Sequence, residues 1–81
     1  MTVRISRHGK GATTTIRVEG CLTAGEVSDL KKQCHEAGGS LCLDLSGLVS
    51  ADQEGVGMLR LLSVEGAKLF GESPYIRELL S

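Results

Sequence analysis

Residues 41–62 read LCLDLSGLVSADQEGVGMLRLL, and the order of residue types in this stretch decides the class of fold. Leucines at alternate positions in residues 41–45 share one face, which is typical of a strand with one buried side. A polar turn, residues 50–55, follows. From about Asp52 to Glu65 apolar residues then recur at helical spacing, namely Val56, Met58, Leu59 and Leu62. Strand, polar turn and helix in this order predict an α/β unit, with the turn where such proteins commonly place functional residues.

The remaining sequence divides into elements with equally regular periodicity. Alternation predicts strands at residues 2–7, 13–19 and 67–70, with a flexible turn at residues 8–12 between the first two. A capping box at Thr23 and Glu26 begins a helix that Gly38 and Gly39 end. A last helix runs from Tyr75 to Leu80, with Pro74 at its first position.

These elements predict a single α/β domain covering residues 1–81, in the order β-β-α-β-α-β-α. The first two strands form an antiparallel hairpin, and strands separated by a helix are expected to be parallel through right-handed crossovers. The outward positions of the early strands are polar. We therefore expect a mixed four-stranded sheet with helices mainly on one face and an open face that carries Arg17, Glu19, Cys42 and Asp44.

Composition excludes several classes of function. The formal charge of the 81-residue chain is −1, its basic residues are spread out, and it has no Trp, so direct nucleic-acid binding is not expected. No apolar run is long enough to insert into a membrane, and the first residues lack the apolar core of a signal peptide, so we expect a cytoplasmic protein. Three cysteines without C-x-x-C spacing agree with a reducing compartment. A chain this small is marginally stable alone, which makes a homodimer a reasonable expectation.

Cofactor and metal motifs are incomplete in this sequence. Gly55 and Gly57 follow a strand, but a dinucleotide fingerprint needs a third glycine where Arg60 stands. We interpret the two glycines as allowing close packing of the helix on the sheet. His8 and His35 stand singly, without the spacing of metal ligands. We expect no cofactor and no metal.

The polar turn is better explained by capping than by catalysis. Asp52 and Glu54 lie two residues apart at a helix start, where their side chains diverge, so no catalytic pair is indicated and we expect no enzyme. Asp52 can accept from the amide of Glu54 or Gly55 as an N-cap, and Glu54 complements the helix dipole. Ser50 with Gln53 offers a rival capping box.

Five segments follow one another in the sequence: GCLT at 20–23, DLSG at 44–47, DQEGVG at 52–57, GAKL at 66–69 and SPYIRELL at 73–80. Together they resemble the STAS domain, the family of bacterial anti-sigma factor antagonists and of sulfate-transporter tails. The family pattern runs D-L-S-G, then D-S-S-G-L-G before a helix, with G-x-L-D earlier and G-x-x-L … S-P-x-V-x-x-L-L later. The resemblance spans roughly residues 13–80.

The resemblance implies a function through protein binding. Free-standing members bind an anti-sigma factor, a kinase-like ATPase, and are switched by phosphorylation of the first serine of D-S-S-G. At the corresponding helix start, the partner-binding residues would be Ser50, Asp52, Gln53, Glu54 and Gly55. The phosphoacceptor position is Gln53, which has no hydroxyl, and the second serine position is Glu54. A carboxylate at 54 points about 100° away from a phosphate at 53 and has less charge. We therefore expect a permanently binding-competent module.

Four alternatives remain open at this stage. Two of them are a module that the Glu54 charge locks in the phosphate-like state and a dimerising scaffold. Some STAS proteins are accessory subunits of transport ATPases and need no phosphorylation, and others bind a small ligand or nucleotide near the second helix. Hydroxyl groups at Ser46 and Ser50 lie close to the polar turn. Phosphorylation at either serine would mean that the switch has moved.

Overall fold

The computed structural model describes residues 3–37 and 40–81, and within them strands and helices follow one another nearly as predicted. The elements are β1 (Val3–Lys10), β2 (Thr13–Leu22), α1 (Ala24–Ala37), β3 (Ser40–Asp44), β4 (Leu48–Ala51), α2 (Gln53–Val64), β5 (Lys68–Phe70) and α3 (Pro74–Leu80). The predicted helix end at Gly38 and Gly39 lies outside the described residues. None of the helices in the described ranges combines the length and apolar character needed to cross a bilayer.

The β1–β2 hairpin is longer than predicted. Its antiparallel register continues without a break from Val3 opposite Gly20 to Lys10 opposite Thr13. The predicted turn at residues 8–12 is therefore wrong in extent, because the strand continues to Lys10 and the turn is limited to Gly11 and Ala12. Gly11 has a φ of 64°, a left-handed conformation that glycine adopts without a steric penalty, so the chain reverses within two residues.

The sheet is mixed, as predicted, but the described residues form five strands rather than four. Its order is β1-β2-β3-β5, with β3 parallel to β2 and β5 parallel to β3. The additional strand, β4, pairs in parallel with the end of β2, beyond the segment that β3 occupies. A turn at Ser46 and Gly47 separates β3 from β4, and the Gly20 amide donates to the Gly47 carbonyl at 3.0 Å. The predicted turn at residues 50–55 is therefore wrong in extent, because residues 50 and 51 end β4, α2 begins at Gln53, and Asp52 alone connects them beside the end of β2.

All three helices contribute to one buried core. Its members from the strands are Ile16, Val18, Leu22, Leu43 and Leu48, Leu45 comes from the connection between β3 and β4, and those from the helices are Leu30, Cys34, Leu59, Leu62 and Ile76. The cross-strand register places Arg17 beside Asp44 on the opposite face, where Phe70 is 45% exposed. The predicted arrangement of helices on one face and an open polar face is confirmed.

The starts of α2 and α3 follow the predicted capping chemistry. Asp52 caps α2, and Ser73 caps α3, with its hydroxyl accepting from the Ile76 amide at 3.2 Å. Pro74 occupies the first turn of α3, where its missing N–H leaves no hydrogen bond unmade. The capping box of α1 takes a different form, because the Thr23 hydroxyl donates to the Glu26 carboxylate.

Candidate functional site

The Asp52 carboxylate connects the starts of two helices. One oxygen, Oδ1, accepts from the amide of Gly55 at 2.8 Å, and the other, Oδ2, accepts from the amide of Ala24 at 3.0 Å. The first bond caps α2 and the second holds the first residue of α1. These amides, Gly55 first and then Ala24, lower the pKa of Asp52, because they stabilise its charged form. The side chain is thus committed to positioning the turn, and Asp52, not Ser50, is the cap.

Gly55 sets the first turn of α2 directly against the end of β2. A Cβ at this position would lie 2.5 Å from the Leu22 carbonyl oxygen and 3.1 Å from Leu22 Cγ. The same carbonyl accepts the Asp52 amide at 3.0 Å. The prediction that this glycine allows close packing of helix and sheet is therefore confirmed. Gly55 is buried, so it supports the site from below and offers no surface to a partner.

The exposed part of the predicted site consists of three consecutive side chains. Asp52, Gln53 and Glu54 are all exposed around the start of α2, and we call them the rim. Ser50 lies in β4 and is half-buried beside the rim. The structure thus brings the predicted residues together at one end of α2. Its two carboxylates, Asp52 and Glu54, make the rim acidic.

An apolar strip continues from the rim along α2. Leu61 is 43% exposed and Val64 is 84% exposed, whereas Leu59 and Leu62 on the other side of the helix are buried. Gly57 lies between the rim and Leu61, and open space surrounds the position that its Cβ would take. We call Gly57, Leu61 and Val64 the ridge. The prediction that Gly57 allows close packing on the sheet is wrong, because this residue faces outward.

Sequence reasoning missed the ridge, although its spacing contains the signal. Glu54, Gly57, Leu61 and Val64 follow one another at intervals of three or four residues, which places them on one face of a helix. Their face differs from the buried one, since Leu59 and Leu62 define a separate stripe. A helix with apolar residues on its outer face has more apolar surface than its own core requires.

A depression lies beside the rim, between α2 and α3. It has a volume of about 460 Å³ and is lined by Ala51, Asp52, Gln53, Val56, Gly57, Arg60 and Leu79. Arg60 Nη2 donates to the carbonyls of Leu79 at 3.0 Å and Ser81 at 2.9 Å. The guanidinium therefore holds the end of α3 against α2. Among the described residues, no three of His, Cys, Asp or Glu gather closely enough to hold a metal ion.

Comparisons with known proteins give structural matches only. No family model and no curated protein matches the sequence. The unphosphorylated anti-sigma factor antagonist SpoIIAA is similar with a TM-score of 0.68 at 21% identity, over 96% of this chain and 80% of that one. The phosphorylated form of SpoIIAA from Bacillus is similar with a TM-score of 0.67 at 20% identity, over 96% of this chain and 79% of that one.

A third structure extends the same relationship. The STAS domain of an anti-sigma factor antagonist from Rhodobacter sphaeroides is similar with a TM-score of 0.61 at 22% identity, over 86% of this chain and 85% of that one. At these identities the likeness concerns the fold. The chain therefore has the α/β fold of SpoIIAA and of STAS-domain anti-sigma factor antagonists, with its rim at the start of the second helix.

Proposed function

We propose that this chain is a small cytoplasmic protein-binding module of the anti-sigma factor antagonist kind. Its partner is an anti-sigma factor or a related kinase-like ATPase, which docks on the rim and the ridge together. STAS-domain antagonists supply the fold on which this proposal rests. The chain itself supplies the surface, and no catalytic role is assigned to it.

The observation that carries the proposal is the outward apolar face of α2. Leu61 and Val64 are exposed although the same helix already buries Leu59 and Leu62 in the core. Gly57 adds to this, because an exposed glycine within a helix costs about 0.5–1 kcal/mol relative to alanine. Close approach of a partner's backbone explains why that position has no side chain. An apolar centre with a polar border is the usual layout of a protein-binding patch.

We further propose that the module has no phosphorylation switch at position 53. Gln53 is exposed at the start of α2, so a serine there would be accessible to a kinase, but an amide cannot accept phosphate. Phosphate would add about −1.5 to −2 charges beside the carboxylates of Asp52 and Glu54. Glu54 supplies a single charge on a different side of the helix. The binding-competent state is therefore permanent in this chain.

The test is affinity capture with matched surface variants. The immobilised protein is incubated with a lysate of the cells that express it, and retained proteins are identified by mass spectrometry. We expect retention of a kinase-like ATPase by the unaltered protein and its loss from Leu61→Lys. The control is Phe70→Lys, because Phe70 is 45% exposed, close to the 43% of Leu61, but lies on the open sheet face.

Three results would count against the proposal. Equal retention by Leu61→Lys and Phe70→Lys would place the interface away from the ridge. Capture of a transport ATPase alone would favour an accessory-subunit role. Phosphate on the unaltered protein at Ser46 or Ser50 after incubation with the captured ATPase and ATP would show a relocated switch. The companion variant Gln53→Ser should instead gain phosphate at position 53, since its hydroxyl would be exposed.

A further inference from the structure

The β1 strand forms an unusually long edge of the sheet. It has eight residues, whereas a typical strand has about five or six. In the part of the chain that the structure describes, β1 has β2 as its one neighbour, so alternate residues direct their backbone N–H and C=O groups away from the sheet. The other edge strands among the described residues, β4 and β5, have four and three residues. β1 is therefore the edge with room for another strand.

Proteins usually protect such an edge by several devices, and β1 uses one of them. Short length, proline, bulges and charge all discourage unwanted strand pairing. Residues 3–10 contain no proline, and their register with β2 has no irregularity. What remains is charge of one sign. Arg4, Arg7 and Lys10 give the segment a formal charge of +3, and since the whole chain has −1, the other residues sum to −4.

The two faces of β1 differ in chemistry. The cross-strand register places Val3 and Ile5 on the helix side, where they are only half-buried against the core. Arg4 and His8 lie on the open face and are exposed. Arg7 lies on the helix side, where its Nη1 is 3.8 Å from Oε1 of Glu36 in α1. A strand added here would meet Val3, Ile5 and the Glu36-paired Arg7 on one face, and Arg4 and His8 on the other.

We propose that the β1 edge binds an extended acidic segment of a partner protein by strand addition. The segment alternates acidic residues, which face Arg4 and His8, with aliphatic residues, which cover Val3 and Ile5. Its backbone completes the free hydrogen bonds of β1. A second copy of this chain is disfavoured on the same edge, because two antiparallel β1 strands would bring like charges together. The positive charge of β1 therefore disfavours pairing with a second copy of this chain and favours an acidic partner. This surface is separate from the rim and the ridge.

The proposal is tested with synthetic peptides and the whole chain. The probe is a capped peptide of the length of β1 in which Glu alternates with Val. Two control peptides replace Glu by Lys or carry N-methyl groups on alternate amides. Amide chemical shifts measured by NMR should change for residues 3–10 with the Glu peptide, and with neither control. Hydrogen exchange should slow at alternate β1 amides, which a purely electrostatic association would not cause.

Two protein variants separate strand addition from general attraction. Arg4→Glu should weaken the Glu peptide about fivefold, because opposite charges facing each other become like charges. Lys68→Glu makes the same charge change on the same face at the other edge, and it should leave the affinity unchanged. The proposal would be overturned if the Glu peptide did not bind, if its chemical-shift changes were centred on α2, or if the N-methylated peptide bound equally well. Stronger binding of single-stranded DNA than of the Glu peptide would also overturn it. Dimerisation through β1, seen by sedimentation, would overturn it as well.

Discussion

Gly55 and Gly57 lie two residues apart in α2, and alanine at these positions should have opposite effects on stability. A Cβ at position 55 would lie 2.5 Å from the Leu22 carbonyl oxygen, well inside van der Waals contact, and the obstacle is backbone that cannot rotate away. At position 57 nothing lies within 4 Å of the added Cβ. Neither glycine has a positive φ, so alanine strains neither backbone conformation.

The magnitudes follow from these two environments. Gly57→Ala gains helix propensity and should raise the free energy of unfolding by about 0.5–1 kcal/mol. Gly55→Ala must displace the first turn of α2 from β2 and, like other overpacked substitutions, should lower that free energy by about 1–3 kcal/mol. With a urea m-value of about 1 kcal/mol/M for a domain of this size, the midpoint rises by roughly 0.5–1 M in the first variant and falls by about 1 M or more in the second.

Urea unfolding followed by circular dichroism measures both midpoints, and a constant m-value confirms that each variant unfolds in the same two-state manner. Equal shifts of the two midpoints, in either direction, would refute the packing argument for Gly55. Binding adds a second readout. If the ridge is the docking surface, Gly57→Ala should weaken binding of the captured partner although the domain becomes more stable, which distinguishes a lost contact from lost structure.

Three further expectations concern the sheet, the thiols and the turn. Leu43→Ala should lower the free energy of unfolding by about 2–5 kcal/mol, because Leu43 is fully buried. Arg17→Ala on the open face should change it by no more than about 0.5 kcal/mol. Comparable losses for both variants in urea unfolding would show that the two sheet faces are assigned wrongly. Burial and the nearby Glu65 carboxylate raise the pKa of Cys34 to about 11, so iodoacetamide near neutral pH should label half-buried Cys42 first, as mass spectrometry can show. The pKa of Asp52 is lower in the folded state than its ordinary value of 3.8. The stability that the Asp52 carboxylate adds is therefore complete above pH 3.8 and is lost as the pH falls through the lower folded-state pKa. In thermal unfolding, Asp52→Asn should differ most from the unaltered protein near neutral pH.

Local patterns in the sequence were sufficient for most of the fold. Alternation identified the strands, and the Asp52 cap and Pro74 identified the starts of α2 and α3. β4 escaped prediction because LVSA is short and follows a turn signal, and its strand conformation depends on pairing with the distant end of β2. The roles of Gly55 and Gly57 could not be separated for the same reason. Both follow the same strand, and the difference lies in Leu22, which packs against one of them and is distant in sequence.

The contacts that shape the rim are independent of the residue types at positions 53 and 54. Asp52 is fixed by the amides of Gly55 and Ala24, and Leu22 receives the Asp52 amide and packs against Gly55. Every one of these contacts uses backbone groups or the cap itself. The residue types at positions 53 and 54 can therefore vary on this exposed surface without altering the support beneath it. For the proposed function, the absence of a hydroxyl at position 53 is physically compatible with partner binding, because the side chain at position 53 takes no part in the contacts that hold the rim.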